Sequence, residues 1–340
     1  MDLSVIIPVR DHAADLRELL GTLYGYGFDG LTAEVIVVDD RSKESILPLC
    51  TEFGALHIRM DVGEGPARAR NRGVEESRGS ILLLLDADVV PAQGMLAAGV
   101  AALRADPTVL SVSFINQAYQ HGDSLVRNFG AAQEHYWFRK YFKGADEPYA
   151  FCGGVTTRNA LVRRDAFEAI GGFCTAFRTN AIEDYDFGKR LAARGPTIIL
   201  ASPLIYHKFP KRLGRLLRNY WVRVSLYIPY RMRNRAISDS TQLNPSEGAL
   251  RLLGALSSAA FVLGLFLGPW NLGVLWLGLA GLTVYCAGVA PLLMAMRRSG
   301  AGLHVLLGSL FIHLLSSVVI VAGAARGLVI GLSKQWSGRD

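Results

Sequence analysis

Two aspartates, Asp86 and Asp88, flank a single small residue directly after the apolar run Ile81–Leu85. An apolar run of this length is typical of a buried strand, which places both carboxylates at its carboxyl end. Hard cations such as Mg²⁺ and Mn²⁺ prefer carboxylate oxygens and fill their remaining positions with water and phosphate oxygens. The spacing therefore predicts a metal and phosphate site, although two aspartates this close also occur in ordinary solvated turns.

A second pair of carboxylates, Asp39 and Asp40, closes the apolar run Val35–Val38. A carboxylate at a strand end can accept hydrogen bonds from a nucleobase N–H or from ribose hydroxyls. Alternatively, one of the two caps the following turn through Ser42. The pair therefore predicts nucleoside recognition by one or both aspartates.

Three acidic residues, Glu183, Asp184 and Asp186, lie within four positions at the start of a predicted helix, Asn180–Arg194. A hydroxyl group that attacks as a nucleophile must lose its proton, and a nearby carboxylate can accept it. Acids in the first turn of a helix also simply complement its dipole. The general-base interpretation is favoured for Asp184, and the dipole interpretation for Asp186.

A glycine-rich segment leads into a basic helix within Gly63–Gly73. Its arginines Arg68, Arg70 and Arg72 have the planar fork that binds phosphates or bases in a bidentate manner. Arg70 is the candidate for contact with a nucleotide. The alternative is an exposed basic helix face.

A single histidine, His207, follows the predicted strand Thr197–Ala201. A neutral imidazole at this position could complete a metal shell or contact phosphate. A purely structural histidine is the alternative.

The spacing of apolar residues predicts an α/β fold in the first part of the chain. Strands and helices alternate, which is typical of a parallel sheet with helical crossovers whose ligands lie beyond the carboxyl ends of the strands. The predicted elements are strand Leu3–Pro8, helix Asp15–Tyr24, strand Glu34–Asp39, helix Ala67–Ser77 and strand Ile81–Leu85.

The composition divides the chain into a charged domain, residues 1–235, and an apolar region, residues 249–332. The apolar region predicts three membrane spans, each near the ~20 residues that cross the hydrocarbon core. They are Ala249–Gly268, Leu272–Met296 and a third from Leu303 to about Ala325, with the segment after Arg326 as the uncertain part of the topology.

The formal net charge of +7 is concentrated in residues 208–235, directly before the apolar region. Basic residues beside a membrane span favour the cytoplasmic side, and a basic, aromatic helix there predicts contact with the membrane surface rather than with nucleic acid. We see no secretory leader, so we expect a multi-pass protein of the inner membrane with its N-terminal domain in the cytoplasm. The four cysteines form no CxxC pair and fit a reducing compartment.

The order of these motifs resembles the family 2 inverting glycosyltransferases of GT-A fold. Six short motifs in the same order make a specific pattern, although each is weak alone. The matching segments, within residues 3 to about 225, are Ser4–Pro8, Val38–Ser42, Ala69–Gly73, Leu85–Asp88, Gly171–Phe173 and Glu183–Asp186.

The resemblance implies a nucleotide-diphosphate sugar as the donor. In this family the backbone after the first strand and the second carboxylate of the Asp-Asp pair bind the nucleotide. The implied donor contacts here are Pro8, Val9, Asp40, Asp86 and Ala87.

The resemblance also implies a cofactor and a base. Asp88 is implied as the principal ligand of Mg²⁺ or Mn²⁺, with His207 at the place of a further ligand. Asp184, with Glu183 beside it, is implied as the base of a single displacement that inverts the anomeric carbon. The expected acceptor is lipid-linked or lies close to the membrane, and it receives one sugar.

The chain also departs from relatives that polymerise sugars. Those enzymes carry a Gln-x-x-Arg-Trp motif, whereas here the tryptophan is displaced within Arg215–Trp221. Three membrane spans are also too few to form a polysaccharide channel within the chain itself. A polyprenyl-phosphate sugar synthase of the same family is the alternative enzyme, and a non-catalytic membrane scaffold is the alternative class.

Overall fold

The computed structural model of the protein describes residues 1–144, 147–152, 154–177, 181–234, 245–267 and 271–333. The described residues form two compact units. The first unit comprises Met1–Asn116 and Tyr141–Lys208, and the second comprises Gln117–Lys140 and 209–333. The predicted end of the first domain, residue 235, lies outside the described residues, so the domain boundary stays a prediction.

The first unit begins with alternating strands and helices. The elements are β1 (Leu3–Val9), α1 (Ala13–Tyr26), β2 (Ala33–Asp39), α2 (Leu47–Phe53), β3 (Leu56–Arg59), α3 (Pro66–Glu75) and β4 (Ile81–Leu85). The four strands pair in parallel in the order β3-β2-β1-β4. The apolar side chains of β1, β2 and β4 are buried on both faces of the sheet, as their continuous apolar runs predict for parallel strands, whereas the edge strand β3 is partly exposed.

The rest of the first unit completes a mixed sheet. The elements are β5 (Val89–Val90), α4 (Met95–Ala105), β6 (Ser111–Asn116), β7 (Tyr149–Phe151), β8 (Asn159–Arg163), α6 (Arg164–Ala169), α7 (Glu183–Ala192) and β9 (Thr197–His207). Strand β8 is antiparallel to both β4 and β6, and β6 is parallel to β9. The predicted α/β fold is confirmed, with antiparallel strands added to the parallel half.

This topology brings several strand ends to one edge of the sheet. Strand β6 runs in the same direction as β4, because both are antiparallel to β8. Strand β9 runs in that direction too, because it is parallel to β6. The carboxyl ends of β1, β2, β4 and β9 therefore lie on the same edge. Asp40 follows β2 and Asp86 and Asp88 follow β4 at this edge, while Val9 and His207 end β1 and β9.

The second unit is helical. Its elements are α5 (Leu125–Arg139), α8 (Leu213–Asn234), α9 (Pro245–Leu267), α10 (Leu272–Arg298) and α11 (Leu303–Leu332). In the described part of the chain, three helices are long and apolar enough to cross a membrane: Ser246–Leu267, Leu272–Arg298 and Leu303–Leu332. The third helix continues without a break past Arg326 and ends at Leu332, seven residues beyond the predicted end at about Ala325.

Close backbone contact joins α8 to the second half of α11. A methyl group at Gly327 would lie 2.9 Å from Ile228 Cβ and 3.0 Å from the Ser225 carbonyl oxygen. A methyl group at Gly323, four residues earlier, would lie 3.3 Å from the Trp221 carbonyl oxygen. Small residues at this spacing let two helices approach closely. Helix α8 therefore packs along α11.

A buried polar cluster joins the three apolar helices. Arg251 of α9 is only 2% exposed and pairs with Glu247 at 3.1 Å. Its guanidinium also donates to the His313 carbonyl and to the Ser316 hydroxyl of α11. The hydroxyl of Tyr285 on α10 lies 2.5 Å from His313 Nδ1. Most polar groups in the cluster thus find partners inside the helix bundle.

Candidate active site

Asp88 and His207 face each other across the short ladder between β5 and β9. Val89 pairs with His207 in antiparallel register, and the Lys208 N–H donates to the Asp88 carbonyl at 2.9 Å. Asp88 Oδ2 lies 3.6 Å from His207 Nε2. Burial alone would raise the pKa of the Asp88 carboxyl, but the neighbouring imidazole lowers it to about 2. The carboxylate is therefore anionic at neutral pH, as a metal ligand must be.

Asp86 begins the tight turn that leads from β4 to β5. Its N–H donates to the Arg158 carbonyl at 3.0 Å, and its own carbonyl accepts from the Val89 N–H at 3.1 Å. Its carboxylate Oδ1 accepts from Arg70 Nη2 at 2.7 Å. The turn therefore places Asp86 and Asp88 side by side, with different partners.

Arg70 lies on the buried face of α3 and is only 2% exposed. Besides Asp86, it faces Glu183, whose Oε1 lies 3.5 Å from Arg70 Nη1. Its guanidinium also lies 5.2 Å from the centre of the Phe173 ring. Burial alone would lower the pKa of Arg70, but Asp86 and Glu183 raise it. The guanidinium thus joins the turn after β4 to the first turn of α7.

The three acids at the start of α7 have different surroundings. Glu183 is buried beside Arg70, whereas Asp184 is half-buried. Asp186 Oδ2 accepts from Arg190 Nε at 2.8 Å, one turn further along the same helix. Asp186 is thus engaged within α7, and Asp184 is the more accessible of the two adjacent acids that we predicted to be catalytic.

Asp39 and Asp40 also differ from each other. Asp39 is fully buried, accepts from the Ser42 N–H at 2.7 Å and pairs with Arg59 at 2.5 Å. Asp40 accepts from the N–H groups of Glu64 and Gly65, at 2.7 and 3.1 Å. Asp39 thus caps the turn through Ser42, as one of the two interpretations of the sequence predicted. Asp40 instead lies at the amino end of α3.

The loops after β1 and β2 contain two residues in the left-handed region, Asp11 at φ 58° and Arg41 at φ 67°. The Asp11 N–H donates to the Ser42 hydroxyl, and its carboxylate accepts from the Lys43 N–H. Left-handed residues other than glycine are uncommon and cluster at functional sites. Pro8 lies in β1 just before this loop.

Residues 4–171 match the pattern that defines Glycosyl transferase family 2. The chain belongs to this family. Glycosyltransferase AglE of Haloferax volcanii is 27% identical over 222 residues, which are 63% of this chain and 69% of that protein. A pre-mycofactocin glycosyltransferase of Mycobacterium tuberculosis is 29% identical over 199 residues. These cover 57% of this chain but only 40% of that longer protein.

A solved structure has the same fold over nearly the whole chain. It is a mannosyltransferase from Pyrobaculum calidifontis in complex with GDP-Man and Mn²⁺, which matches with a TM-score of 0.57 at 19% identity. The match covers 98% of this chain and 88% of that protein. The glycosyltransferase therefore has a GT-A-type domain followed by three apolar helices, as the resemblance implied.

The donor atoms at Asp88 and His207 suit a hard or borderline divalent cation. Among the described residues, no three His, Cys, Asp or Glu side chains are grouped so that they could hold a metal ion by themselves. A cation at this glycosyltransferase site would therefore need further oxygen atoms from water or from a bound phosphate. The pair fits a metal that binds together with a nucleotide.

Sequence reasoning missed two basic residues on the same edge of the sheet. Arg10 Nη1, directly after β1, lies 3.8 Å from Asp40 Oδ2. Lys208, directly after β9, pairs with Asp15 and Glu18 of α1 at 2.8 and 2.7 Å. Their position in the sequence could have revealed them, since each is the first residue after a strand whose carboxyl end lies at this edge.

Proposed function

We propose that the protein transfers a single sugar from a nucleotide-diphosphate sugar to a lipid-linked or membrane-proximal acceptor, with inversion at the anomeric carbon. The observation that best supports this proposal is the arrangement of side chains at the carboxyl edge of the sheet. Asp88 with His207 lies at the ends of β4 and β9, and Asp86 is connected through Arg70 to the acids of α7. A candidate metal pair and a candidate base thus lie on neighbouring elements, which supports the proposal.

On the donor side, Asp88 and His207 would hold Mg²⁺ or Mn²⁺ and thereby the donor diphosphate. The bound cation would neutralise the negative charge that develops on the leaving diphosphate. Asp40 and the backbone at Pro8 and Val9 bind the nucleoside, and Asp86 with Ala87 lies against ribose and phosphates. Asp40 supports this role because its carboxylate is fixed by two backbone N–H groups.

On the acceptor side, Asp184 is the general base, with Glu183 beside it. As the acceptor oxygen forms its bond to the anomeric carbon, its proton passes to the Asp184 carboxylate. The bond between that carbon and the phosphate oxygen breaks at the same time, and its electron pair leaves with the nucleoside diphosphate. The sugar is attacked from the face opposite the leaving group, which inverts its configuration.

We further infer that the catalytic domain works on the cytoplasmic face of the inner membrane. The three apolar helices support membrane anchoring. Arg297 and Arg298 at the end of α10 would then lie on the cytoplasmic side, as the charge distribution favours.

Substitution of the two central carboxylates tests the proposed reaction. We expect Asp88→Asn and Asp184→Asn to lower transfer by more than ~100-fold, because each removes a group that acts in the transition state. Asp186→Asn is the matched control, since Asp186 pairs with Arg190 and should retain near-normal transfer. Full turnover by either of the first two variants would overturn the assignment.

Thermal unfolding distinguishes this enzyme from a non-catalytic scaffold. We expect UDP or GDP to raise the melting temperature only when Mn²⁺ is present, because the described residues offer no complete metal site and the cation would bind together with the diphosphate. A scaffold would show no such joint effect. Product analysis with a polyprenyl phosphate and with a lipid-linked sugar then identifies the acceptor.

A further inference from the structure

Arg70 is a buried cation held between the two halves of the site. Its Nη2 donates to Asp86 at 2.7 Å, and its Nη1 lies 3.5 Å from Glu183. Asp86 follows strand β4, whereas Glu183 opens helix α7 directly before Asp184. Arg70 therefore connects these two elements by an ion pair on each side.

Besides the two carboxylates, the ring of Phe173 contacts the Arg70 guanidinium. Phe173, beside the guanidinium, exchanges two hydrogen bonds of 2.9 Å with the side chain of Asn71, the next residue of α3. The Phe173 ring stacks on Phe187 of α7, with ring centres 4.2 Å apart. Helices α3 and α7 are therefore joined beside Arg70 by packing as well as by charge.

Burial decides between a direct and an indirect role for this arginine. A direct phosphate ligand must present N–H groups to the donor, but Arg70 is only 2% exposed. Its Nη2 donates to Asp86, and its Nη1 is directed at Glu183 as an ion pair without a hydrogen bond, so both groups face carboxylates of the protein. Burial therefore favours action through Asp86 and Glu183, and direct contact of Arg70 with the nucleotide stays a prediction.

We propose that Arg70 is a positioning residue that holds the donor-side carboxylate Asp86 and the base helix α7 at a fixed separation. This inference rests on the proposed function, because it takes Asp184 as the base. Without a cation between them, Asp86 and Glu183 would repel each other, and the first turn of α7 would shift. Since Asp184 is the next residue, the base would leave its productive position relative to the bound sugar.

Arg70→Lys is the most informative substitution, because lysine keeps the charge but lacks the planar fork that reaches two carboxylates at once. We expect kcat for transfer to fall by at least ~30-fold while the donor Kd changes by less than ~3-fold. We also expect a larger share of donor turnover to end in hydrolysis, because water needs less exact placement than the acceptor. Arg72→Lys on the same helix is the control, since Arg72 is exposed and pairs with Glu75 and Glu76.

A double-mutant cycle tests whether Arg70 acts through Glu183. If it does, Arg70→Lys should cost less than ~3-fold further in a Glu183→Gln background, because the partner is already lost. Additive effects would overturn the inference, and so would a donor Kd that weakens as much as kcat/KM falls. If Arg70→Lys does not fold, Glu183→Asp tests the same bridge from the other side, with the same expected loss of kcat.

The inference and the proposed function can fail separately. Retained transfer in Asp184→Asn would remove the base assignment itself. An inactive Asp184→Asn variant combined with an additive Arg70 and Glu183 cycle would remove only the positioning role.

Discussion

Arg10 is an exposed basic side chain at the carboxyl edge of the sheet, beside Asp40. Its side chain is 57% exposed, and its Nη1 lies 3.8 Å from Asp40 Oδ2. The guanidinium lies against the loop at Gly63, where a methyl group would come within 2.9 Å of it. The lack of a side chain at Gly63 therefore leaves room for Arg10 beside Asp40.

We predict that Arg10→Ala raises the donor KM by about 5- to 50-fold while kcat changes little, because the contact is made equally in the ground state and the transition state. Initial rates over a range of donor concentrations measure both constants. Arg17→Ala on α1 is the control, since it removes the same charge from an exposed pair with Glu52. An unchanged donor KM would show that Arg10 does not meet the donor.

Several site residues were predictable because strand ends are readable in sequence. The apolar runs before Asp40 and Asp86 locate the carboxyl edge of the sheet without any tertiary information. The burial of Arg70 was not predictable, because it depends on carboxylates from β4 and α7 that meet only in the fold. For the same reason, the difference between Asp39 and Asp40 emerges only from their partners.

At the scale of elements, α7 is fixed by a contact between backbones. A methyl group at Gly188 would lie 2.6 Å from the Val155 nitrogen and 3.0 Å from Gly154 Cα. Backbone atoms cannot move aside as a flexible side chain can. A side chain at position 188 must therefore displace α7, which carries Asp184.

We predict that Gly188→Ala lowers transfer by about 100-fold or more while donor binding persists, because a small displacement of the base is enough to stop the reaction. Gly21→Ala on α1 is the matched control, since its methyl group would meet no atom nearer than 4.0 Å. Transfer rates and donor Kd are measured on both variants in detergent. Equal activity of the two variants would contradict the proposed role of α7.

Strand β6, which sequence analysis missed, carries polar residues in buried positions. Strand β6 contains Ser111, Ser113 and Asn116, all buried, so its pattern does not look like a buried strand. In the fold, the Asn159 side chain accepts from the Phe114 N–H at 3.2 Å and donates to the Phe114 carbonyl at 3.1 Å. A side chain thus replaces a neighbouring strand in the hydrogen-bond ladder, which no local pattern reveals.

The buried pair Glu247–Arg251 gives a prediction for the helix bundle. We expect Arg251→Leu alone to destabilise the protein by about 3–5 kcal/mol, because it leaves the Glu247 carboxylate buried without its partner. We expect the double variant Glu247→Leu/Arg251→Leu to cost much less, since no charge remains unpaired. Unfolding of the purified protein in mixed micelles measures both. A double variant that is less stable than Arg251→Leu would contradict this account.

At the scale of the whole molecule, the apolar surface of the second unit needs an environment other than water. Large apolar side chains on α9, α10 and α11 are strongly exposed, among them Phe266 at 85%, Trp276 at 66% and Leu303 at 70%. Soluble proteins rarely expose continuous apolar surface of this extent. Lipid is the solvent that fits it, and the net charge of +7 favours a membrane with anionic headgroups.

The second unit also includes a helix from the middle of the chain. Helix α5 belongs to this unit and not to the unit that carries the sheet. Its residues Phe129 and Ala132 lie in one apolar cluster with Tyr285 and Val289 of α10. Composition alone does not indicate this grouping, because α5 is amphipathic and resembles a helix of a soluble domain.

We therefore predict opposite behaviour for the full chain and for a chain that ends at residue 235. The full chain should remain with membranes through molar salt and alkaline carbonate, because the three apolar helices anchor it by burial and not by charge. The shortened chain should aggregate unless detergent is present, because α5 loses the partners that cover Phe129 and Ala132. Membrane washing followed by size-exclusion chromatography checks both expectations. A soluble, monomeric shortened chain would show that α5 does not depend on the apolar helices, and release of the full chain by carbonate would exclude membrane spanning.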